Sequence, residues 1–131
     1  MKKKILSITF LLMLLLGLFF AAPSLTRNNT STTAMMIDLF NPRIGNSTLY
    51  VKTSDVYNDS YKDATSGQND YTYITLGYDE DGNSRQIKYT SFGNKFTAHN
   101  YLKVRIKGQN VRSYEAVQPE DIPETALIKL D

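Results

Sequence analysis

The chain begins with an apolar run, continues with a polar segment and ends in a long region where polar and apolar residues alternate. The run covers residues 5–22 and follows the cationic head Lys2–Lys4. This pattern is typical of a secretory signal. A core helix would keep a polar stripe at helical period, and only Ser7 and Thr9 interrupt this run. The pattern predicts export, with the lysines on the cytoplasmic side and the rest of the chain outside.

The sequence leaves open whether the apolar segment is removed or retained. Small residues are preferred one and three positions before a signal-peptide cut, yet cutting after Ala22 or Ala21 puts Phe20 or Phe19 at the third position. The segment also lies near the lower limit of about 17 residues for a membrane-crossing helix. Residues 1–22 are therefore predicted to be a signal peptide or an N-terminal membrane anchor. The domain is expected outside the cytoplasm, secreted or anchored to the cytoplasmic membrane.

Residues 23–46 are rich in Ser, Thr and Asn and are predicted to form a polar linker. Such a segment cannot bury enough apolar surface to order itself, so it is expected to act as a flexible spacer. Within it, residues 34–40 are apolar enough to pack on the domain. Asn41-Pro42 should end any helix there, because the residue before a proline disfavours the helical conformation.

Residues 47–131 are predicted to form one small β domain. Tyr101–Lys107 alternates polar and apolar residues without a break, and Gly82 marks a hairpin turn. Pro123 suits the first turn of a short C-terminal helix. Five strands and this helix favour an all-β, or mainly β, fold, most simply a small barrel that shields its own edges. The predicted strands are 50–53, 71–78, 84–90, 101–107 and 111–117.

Strand alternation predicts which side chains face the core of this domain. The residues expected to point inward are Leu102, Val104, Ile106, Ile74, Leu76 and Ile87. The residues expected to point outward are Tyr101, Lys103, Arg105 and Lys107.

Composition restricts the chemistry of the chain. Its 131 residues contain no Cys and one His, which removes disulfides, thiolate metal sites, thiol nucleophiles, multi-histidine metal sites and cysteine lipidation. The formal net charge is +2, but without Lys2–Lys4 the 15 basic residues fall to 12 against 13 acidic ones. A basic excess is expected of a nucleic-acid binder, so no nucleic-acid partner is predicted.

Two segments could carry chemistry and neither matches a catalytic or metal-binding pattern. His99 lies in a polar bend with no recognisable nucleophile or orienting partner, as an ordinary loop histidine would. The acidic segment Asp79–Asn83 invites comparison with a calcium loop, but Ser84 and Thr90 stand where an EF-hand has Gly and Glu. A hairpin turn explains the segment with fewer assumptions. No catalytic residue, metal ligand or cofactor is predicted.

A binding face is the remaining candidate site. Aromatic rings flanked by basic side chains on a small barrel resemble a stacking platform for sugars or nucleic acids. The alternative is a solvated strand face, where lysines discourage edge pairing. The candidate residues are Tyr71, Tyr73, Tyr101, Lys103 and Arg105.

Short motifs occur in order along nearly the whole chain. Besides the exported head, they are Asn41-Pro42, Tyr50–Thr53, Gly77–Asp79 before Gly82, Tyr101–Val104, Tyr114-Glu115 and Pro123–Leu127. In order and spacing these motifs resemble those of the YxeA-like family of small exported proteins of Gram-positive bacteria. The resemblance implies a five-stranded barrel of OB-like shape and brings no established activity, cofactor or catalytic residue.

Export without a catalytic constellation favours a non-enzymatic binding or interaction module at the bacterial cell surface. Its expected partner is a membrane protein or an exported peptide. One alternative is an OB-type binder of oligosaccharide or nucleic acid. A second alternative is a cell-wall or peptide hydrolase using carboxylates such as Asp79 or Asp81, which is less favoured because turn residues are poorly shielded from water.

Overall fold

The N-terminal apolar run forms one long helix in the computed structural model, which describes residues 1–131. Helix α1 covers Lys2–Thr26, and helix α2 covers Thr32–Phe40. Ser31 caps α2 by accepting a hydrogen bond from the backbone nitrogen of Ala34 at 3.2 Å. By length and composition α1 could cross a membrane, and an export signal near the N-terminus meets the same criteria.

The rest of the chain is mainly β, as predicted, and all its strand pairs are antiparallel. A 3-10 turn, Pro119–Asp121, and helix α3, Glu124–Leu130, follow the last strand. The strands are β1 (Asn46–Lys52), β2 (Asp59–Lys62), β3 (Asn69–Tyr78), β4 (Ser84–Phe92), β5 (Tyr101–Lys107) and β6 (Asn110–Val117).

The six strands form one sheet in the order β2-β3-β1-β5-β6, with β4 paired to β3. Strand β3 is central because β4 pairs along its whole length, while β2 pairs with its first residues and β1 with its end. In this last pair Tyr50 lies opposite Tyr78. Strand β1 pairs along its length with β5, which forms a hairpin with β6.

The predicted five-stranded barrel is wrong in strand number and in closure. Strand β2 was not predicted, because all four of its residues are exposed and its sequence shows no alternation of apolar and polar residues. The sheet does not close because β4 and β6 are not paired. Side chains bind the outward carbonyls of β4 instead: Gln109 Nε2 donates to Gln86 at 2.8 Å, and Tyr114 Oη donates to Thr90 at 2.7 Å.

The core lies inside the curved sheet and confirms most of the predicted inward residues. Gly77 explains why β3 departs from the prediction. A side chain at Gly77 would press against Leu49 and Val51 of β1, so the face of β3 that carries Gly77 is the one that lies against the core. Ile74 and Leu76 therefore point away, contrary to prediction, and Leu76 is 48% exposed. The core residues are Leu49, Val51, Tyr73, Ile87, Tyr89, Leu102, Val104 and Ile106.

The segment predicted as a flexible polar linker is partly ordered against the domain. Thr26, Ala34, Asp38 and Asn41 are all buried. The pattern is unusual, since three of these four side chains are polar. They are buried because each finds hydrogen-bond partners in the helices or in the sheet, which a composition-based argument could not show.

Candidate functional site

Hydrogen bonds join helix α2 to the sheet at the end that contains the β5–β6 turn. The carboxylate of Asp38 accepts hydrogen bonds from Thr26 Oγ1 and from the backbone nitrogen of Gln109, both at 2.6 Å. Gln109 follows the last residue of β5 by two positions, and Lys107 Nζ donates to the carbonyl of Leu39 at 2.7 Å. This helix-proximal end contains the β5–β6 turn and the starts of β1, β4 and β6. The opposite, distal end contains the starts of β3 and β5.

A groove of about 460 Å³ lies at the distal end. The loop between β4 and β5 forms one wall, and the end of β6 forms the other. The groove is lined by both apolar and polar residues, which is common in ligand-binding clefts. We call it the distal groove, and its residues are Thr53, Lys95, Phe96, Thr97, His99, Asn100, Tyr101, Leu102, Ala116, Val117, Gln118 and Pro119.

Thr53 holds the β4–β5 loop, which forms one wall of the groove, in place by hydrogen bonds. Its buried hydroxyl lies 2.6 Å from the carbonyl of Thr97 and accepts from the backbone nitrogen of Asn100 at 3.0 Å. The backbone of Thr53 also bonds to His99 and Asn100. His99 has a φ of 68°, in the left-handed region, which non-glycine residues adopt rarely. These bonds hold the turn that His99 makes into β5.

Phe96 anchors the same loop in the core. Its backbone nitrogen donates to Tyr73 Oη at 3.0 Å, and its ring lies 5.2 Å from Tyr73, 5.7 Å from Tyr89 and 5.6 Å from Tyr114. Edge-to-face aromatic contacts of this kind stabilise a core beyond the area they bury. Burial raises the pKa of the Tyr89 and Tyr114 phenols, because the charged phenolate is poorly solvated there.

Lys95 places a positive charge over two aromatic rings beside the groove. Its ammonium nitrogen lies 4.8 Å from the ring centre of Tyr57 and 5.5 Å from that of Tyr71, and the two rings contact each other edge to face at 5.0 Å. Lys95 itself is exposed. In this cluster the exposed ammonium group of Lys95 is therefore held over the two tyrosine rings by cation–π contacts.

Tyr101 lines the groove from the start of β5. Its hydroxyl donates to Asp131 Oδ1 at 2.6 Å, and the ammonium of Lys52 lies 3.7 Å from the same oxygen. The hydrogen bond to Asp131 raises the pKa of the Tyr101 phenol, because ionisation would remove the donated proton. The hydrogen bond thereby fixes the Tyr101 ring beside Asp131, the residue that follows α3.

The structure does not assemble the predicted binding face. Tyr73 is only 2% exposed, and Tyr71 packs partly against the same core. Lys103 and Arg105 point outward from β5 as predicted, but neither lines the distal groove, and Lys103 lines a separate polar hollow with the acidic turn. Of the five candidates, only Tyr101 lines the distal groove, while Tyr71 lies beside it under Lys95.

No sequence pattern identifies the other residues of the groove as part of a binding site. Lys95, Phe96 and Thr97 lie in a loop, where periodicity predicts nothing, and Gln118 follows a strand end. The sequence pattern predicts an ordinary loop histidine at His99, and the backbone of His99, rather than its ring, donates the hydrogen bond to Thr53 that shapes the wall.

In the acidic turn, Asp79–Asn83, the carboxylate of Asp79 accepts hydrogen bonds that hold the turn together. Asp79 Oδ1 accepts from the backbone nitrogens of Asp81 and Asn83 at 3.0 and 2.8 Å, and Oδ2 accepts from the Asn83 side chain at 3.3 Å. Both oxygens are thus engaged in closing the β3–β4 hairpin. This supports the interpretation of the segment as a turn.

Comparisons with known proteins agree with the YxeA-like resemblance. A family described as "Protein of unknown function (DUF1093)" matches residues 42–120. The uncharacterised protein YxeA of Bacillus subtilis (strain 168) is 31% identical over 94 residues, which cover 71% of this chain and 75% of that protein.

Two solved structures share the fold. A crystal structure of a DUF1093 family protein from Bacillus subtilis matches with a TM-score of 0.53 and 28% identity, covering 70% of this chain and 98% of that one. A solution structure of a membrane associated protein from Bacillus cereus matches with a TM-score of 0.50 and 22% identity, covering 68% of this chain and 87% of that one. Sequence and fold together show that the chain belongs to the DUF1093 family.

Proposed function

We propose that this protein is an exported, membrane-tethered and non-enzymatic module that binds a polypeptide in its distal groove. The polypeptide would be an exported peptide or the extracytoplasmic part of a membrane protein. One observation carries the proposal: the groove lies at the opposite end of the sheet from the apolar helix. A tether at α1 would therefore leave the groove facing away from the membrane.

The location rests on α1 and on one relative. The exposed apolar surface of α1 needs a nonpolar environment, which a bilayer provides. The fold relative from Bacillus cereus is described as a membrane associated protein. The lysine head supports the orientation, because basic residues stay on the cytoplasmic side. The β domain would then lie outside.

The chemistry of the groove suits an extended chain with mixed side chains. Phe96 and Val117 offer apolar contacts, while Thr97 and Gln118 offer hydrogen-bonding groups. Lys95 adds a positive charge, which favours a partner with a carboxylate near the groove. The combination resembles a peptide-binding cleft more than a stacking platform, since Tyr73 is buried and cannot stack on a base or sugar.

Site-specific photo-crosslinking in intact cells tests the proposal. A photoreactive amino acid is placed at Thr97 or Gln118 in the groove, and at Arg105 or Arg112 as exposed controls outside it. We expect the two groove positions to give the same discrete adduct and the two controls to give none. The adduct should weaken when Lys95→Ala is added. Equal adducts at all four positions, or no adduct at the groove positions, would contradict the proposal.

A further inference from the structure

Helices α1 and α2 form a hairpin whose contacts fix how far α2 reaches along α1. Thr26, at the end of α1, bonds to Asp38 of α2. Asn41, which ends α2, donates through Nδ2 to the carbonyl of Phe19 at 3.3 Å. The guanidinium of Arg43 lies 3.8 Å from the ring centre of Phe20. The last turn of α2 therefore lies beside α1 between Thr26 and Phe19, against the end of the apolar stretch of α1.

Helix α2 exposes large apolar side chains on the face that points away from the protein. The face buried against the protein carries Ala34 and Asp38. The outward face carries Met36, Ile37 and Phe40, which are 45, 44 and 72% exposed. A helix on a water-soluble domain normally turns its apolar stripe inward. The outward face of α2 is thus suited to a nonpolar environment.

The outward face of α2 continues the apolar surface of α1. A groove of about 310 Å³ runs between the helices, lined on the α1 side by Leu18, Phe19 and Ala22 and on the α2 side by Ile37. Because this surface joins the apolar run of α1 without a polar break, the environment that covers α1 also covers α2. A lipid bilayer meets both requirements.

The charged residues around the hairpin fit a membrane boundary. From Lys4 to Phe20 the helix rises about 24 Å, and Arg43 contacts the ring of Phe20. A hydrocarbon core is about 30 Å thick, and long basic side chains reach past its edges to the headgroups. Arg43 is therefore placed to meet outer headgroups, as Lys2–Lys4 would meet inner ones.

We propose that α2 is a second membrane contact, which seats Met36, Ile37 and Phe40 in the outer leaflet beside a retained α1. The inference rests on the membrane-tethered part of the proposed function and goes beyond it. A second contact would fix the orientation of the β domain, because Asp38 and Asn41 on the opposite face of α2 are bonded within the protein.

Single-cysteine fluorescence in vesicles tests this contact, and the absence of native cysteine makes labelling specific. The full chain is reconstituted in phosphatidylcholine and phosphatidylglycerol (3:1) and labelled with an environment-sensitive dye at Met36→Cys or Phe40→Cys. Leu12→Cys is the buried-in-lipid control, and Ser113→Cys, exposed on β6, is the aqueous control. Quenching by spin-labelled lipid is then measured at each position.

We expect a blue-shifted emission and lipid quenching at positions 36 and 40, comparable to position 12, and neither at position 113. Aqueous emission at 36 and 40 with quenching at 12 would overturn the second contact while leaving the tether intact. A blue shift without lipid quenching at 36 and 40 would assign the face to a second copy of the chain and also overturn it. Aqueous emission at position 12 would reject the tether itself.

Discussion

The carboxylate oxygen Oδ2 of Asp38 lies 2.6 Å from the backbone nitrogen of Gln109, so that α2 and the β5–β6 turn are joined across 71 residues of sequence. Asp38 is only 1% exposed, and its other oxygen accepts from Thr26. Gln109, equally buried, uses its side chain to bind Asn28, Asn29, Arg85 and Gln86. This pair is the centre of the connection between the helices and the sheet.

Asp38→Ala should lower the free energy of unfolding of the β domain by about 3 kcal/mol, because two buried donors lose a charged acceptor. The measurement is chemical denaturation of the full chain in detergent micelles, followed by near-ultraviolet circular dichroism of the tyrosines. Asp55→Ala, at an exposed loop position, is the matched control and should change stability by less than about 0.5 kcal/mol. Similar losses in both variants would contradict the role of Asp38.

Gly108→Ala should destabilise the protein more than Gly67→Ala. Both glycines have positive φ, 58° and 72°, so both variants carry a backbone penalty of about 1 kcal/mol. A Cβ at Gly108 would in addition collide with the carboxylate of Asp38, whereas nothing lies within 4 Å of one at Gly67. We expect the extra loss at Gly108, about 1–3 kcal/mol, to shrink in the Asp38→Ala background, which removes the carboxylate but keeps the Cβ of residue 38 at 2.8 Å. An extra loss of unchanged size there would place its cause elsewhere.

Phe96→Ala should cost about 3 kcal/mol, at the lower end for a core phenylalanine because the ring is partly exposed. It should also abolish the crosslink at Thr97, since the loop would lose its anchor between Tyr73, Tyr89 and Tyr114. Phe92→Ala, whose ring is 70% exposed, provides the control and should leave both measurements nearly unchanged. A stable Phe96→Ala variant with an unchanged crosslink would show that the loop is held by Thr53 alone.

The β domain should lose stability at alkaline pH through Tyr89. Burial raises the pKa of its phenol in the folded state, so the folded protein retains a proton that the unfolded chain releases near pH 10. The stabilisation is complete below that pH and is lost as the pH rises toward the folded pKa. Tyr89→Phe should therefore flatten the fall in melting temperature between pH 9 and 11. Tyr61→Phe, at an exposed position of β2, should leave the fall unchanged.

Sequence patterns predicted the elements that bury apolar side chains at a regular period. Strand β5 has the predicted bounds and the predicted inward residues Leu102, Val104 and Ile106. The end of α2 at Phe40 and the start of α3 after Pro123 followed from proline chemistry. In these cases a local rule and the tertiary structure favour the same conformation.

The remaining features depend on long-range contacts that no local rule contains. Ile74 and Leu76 have suitable apolar side chains, but the close approach of Gly77 to β1 reverses the face of β3. The polar residues Asp38 and Gln109 are buried because they bind each other. The groove likewise depends on a loop anchored by Thr53 and Phe96, residues that are far apart in sequence.

The side chains that bind the outer edge of β4 also affect how copies of the protein can meet. Strand edges with free carbonyls are templates on which another chain can add a strand. A neighbouring copy would have to displace Gln109 from Gln86 and Tyr114 from Thr90 before it could add to β4. Copies of the protein could therefore lie close together at high local concentration without templating intermolecular β-sheets along this edge.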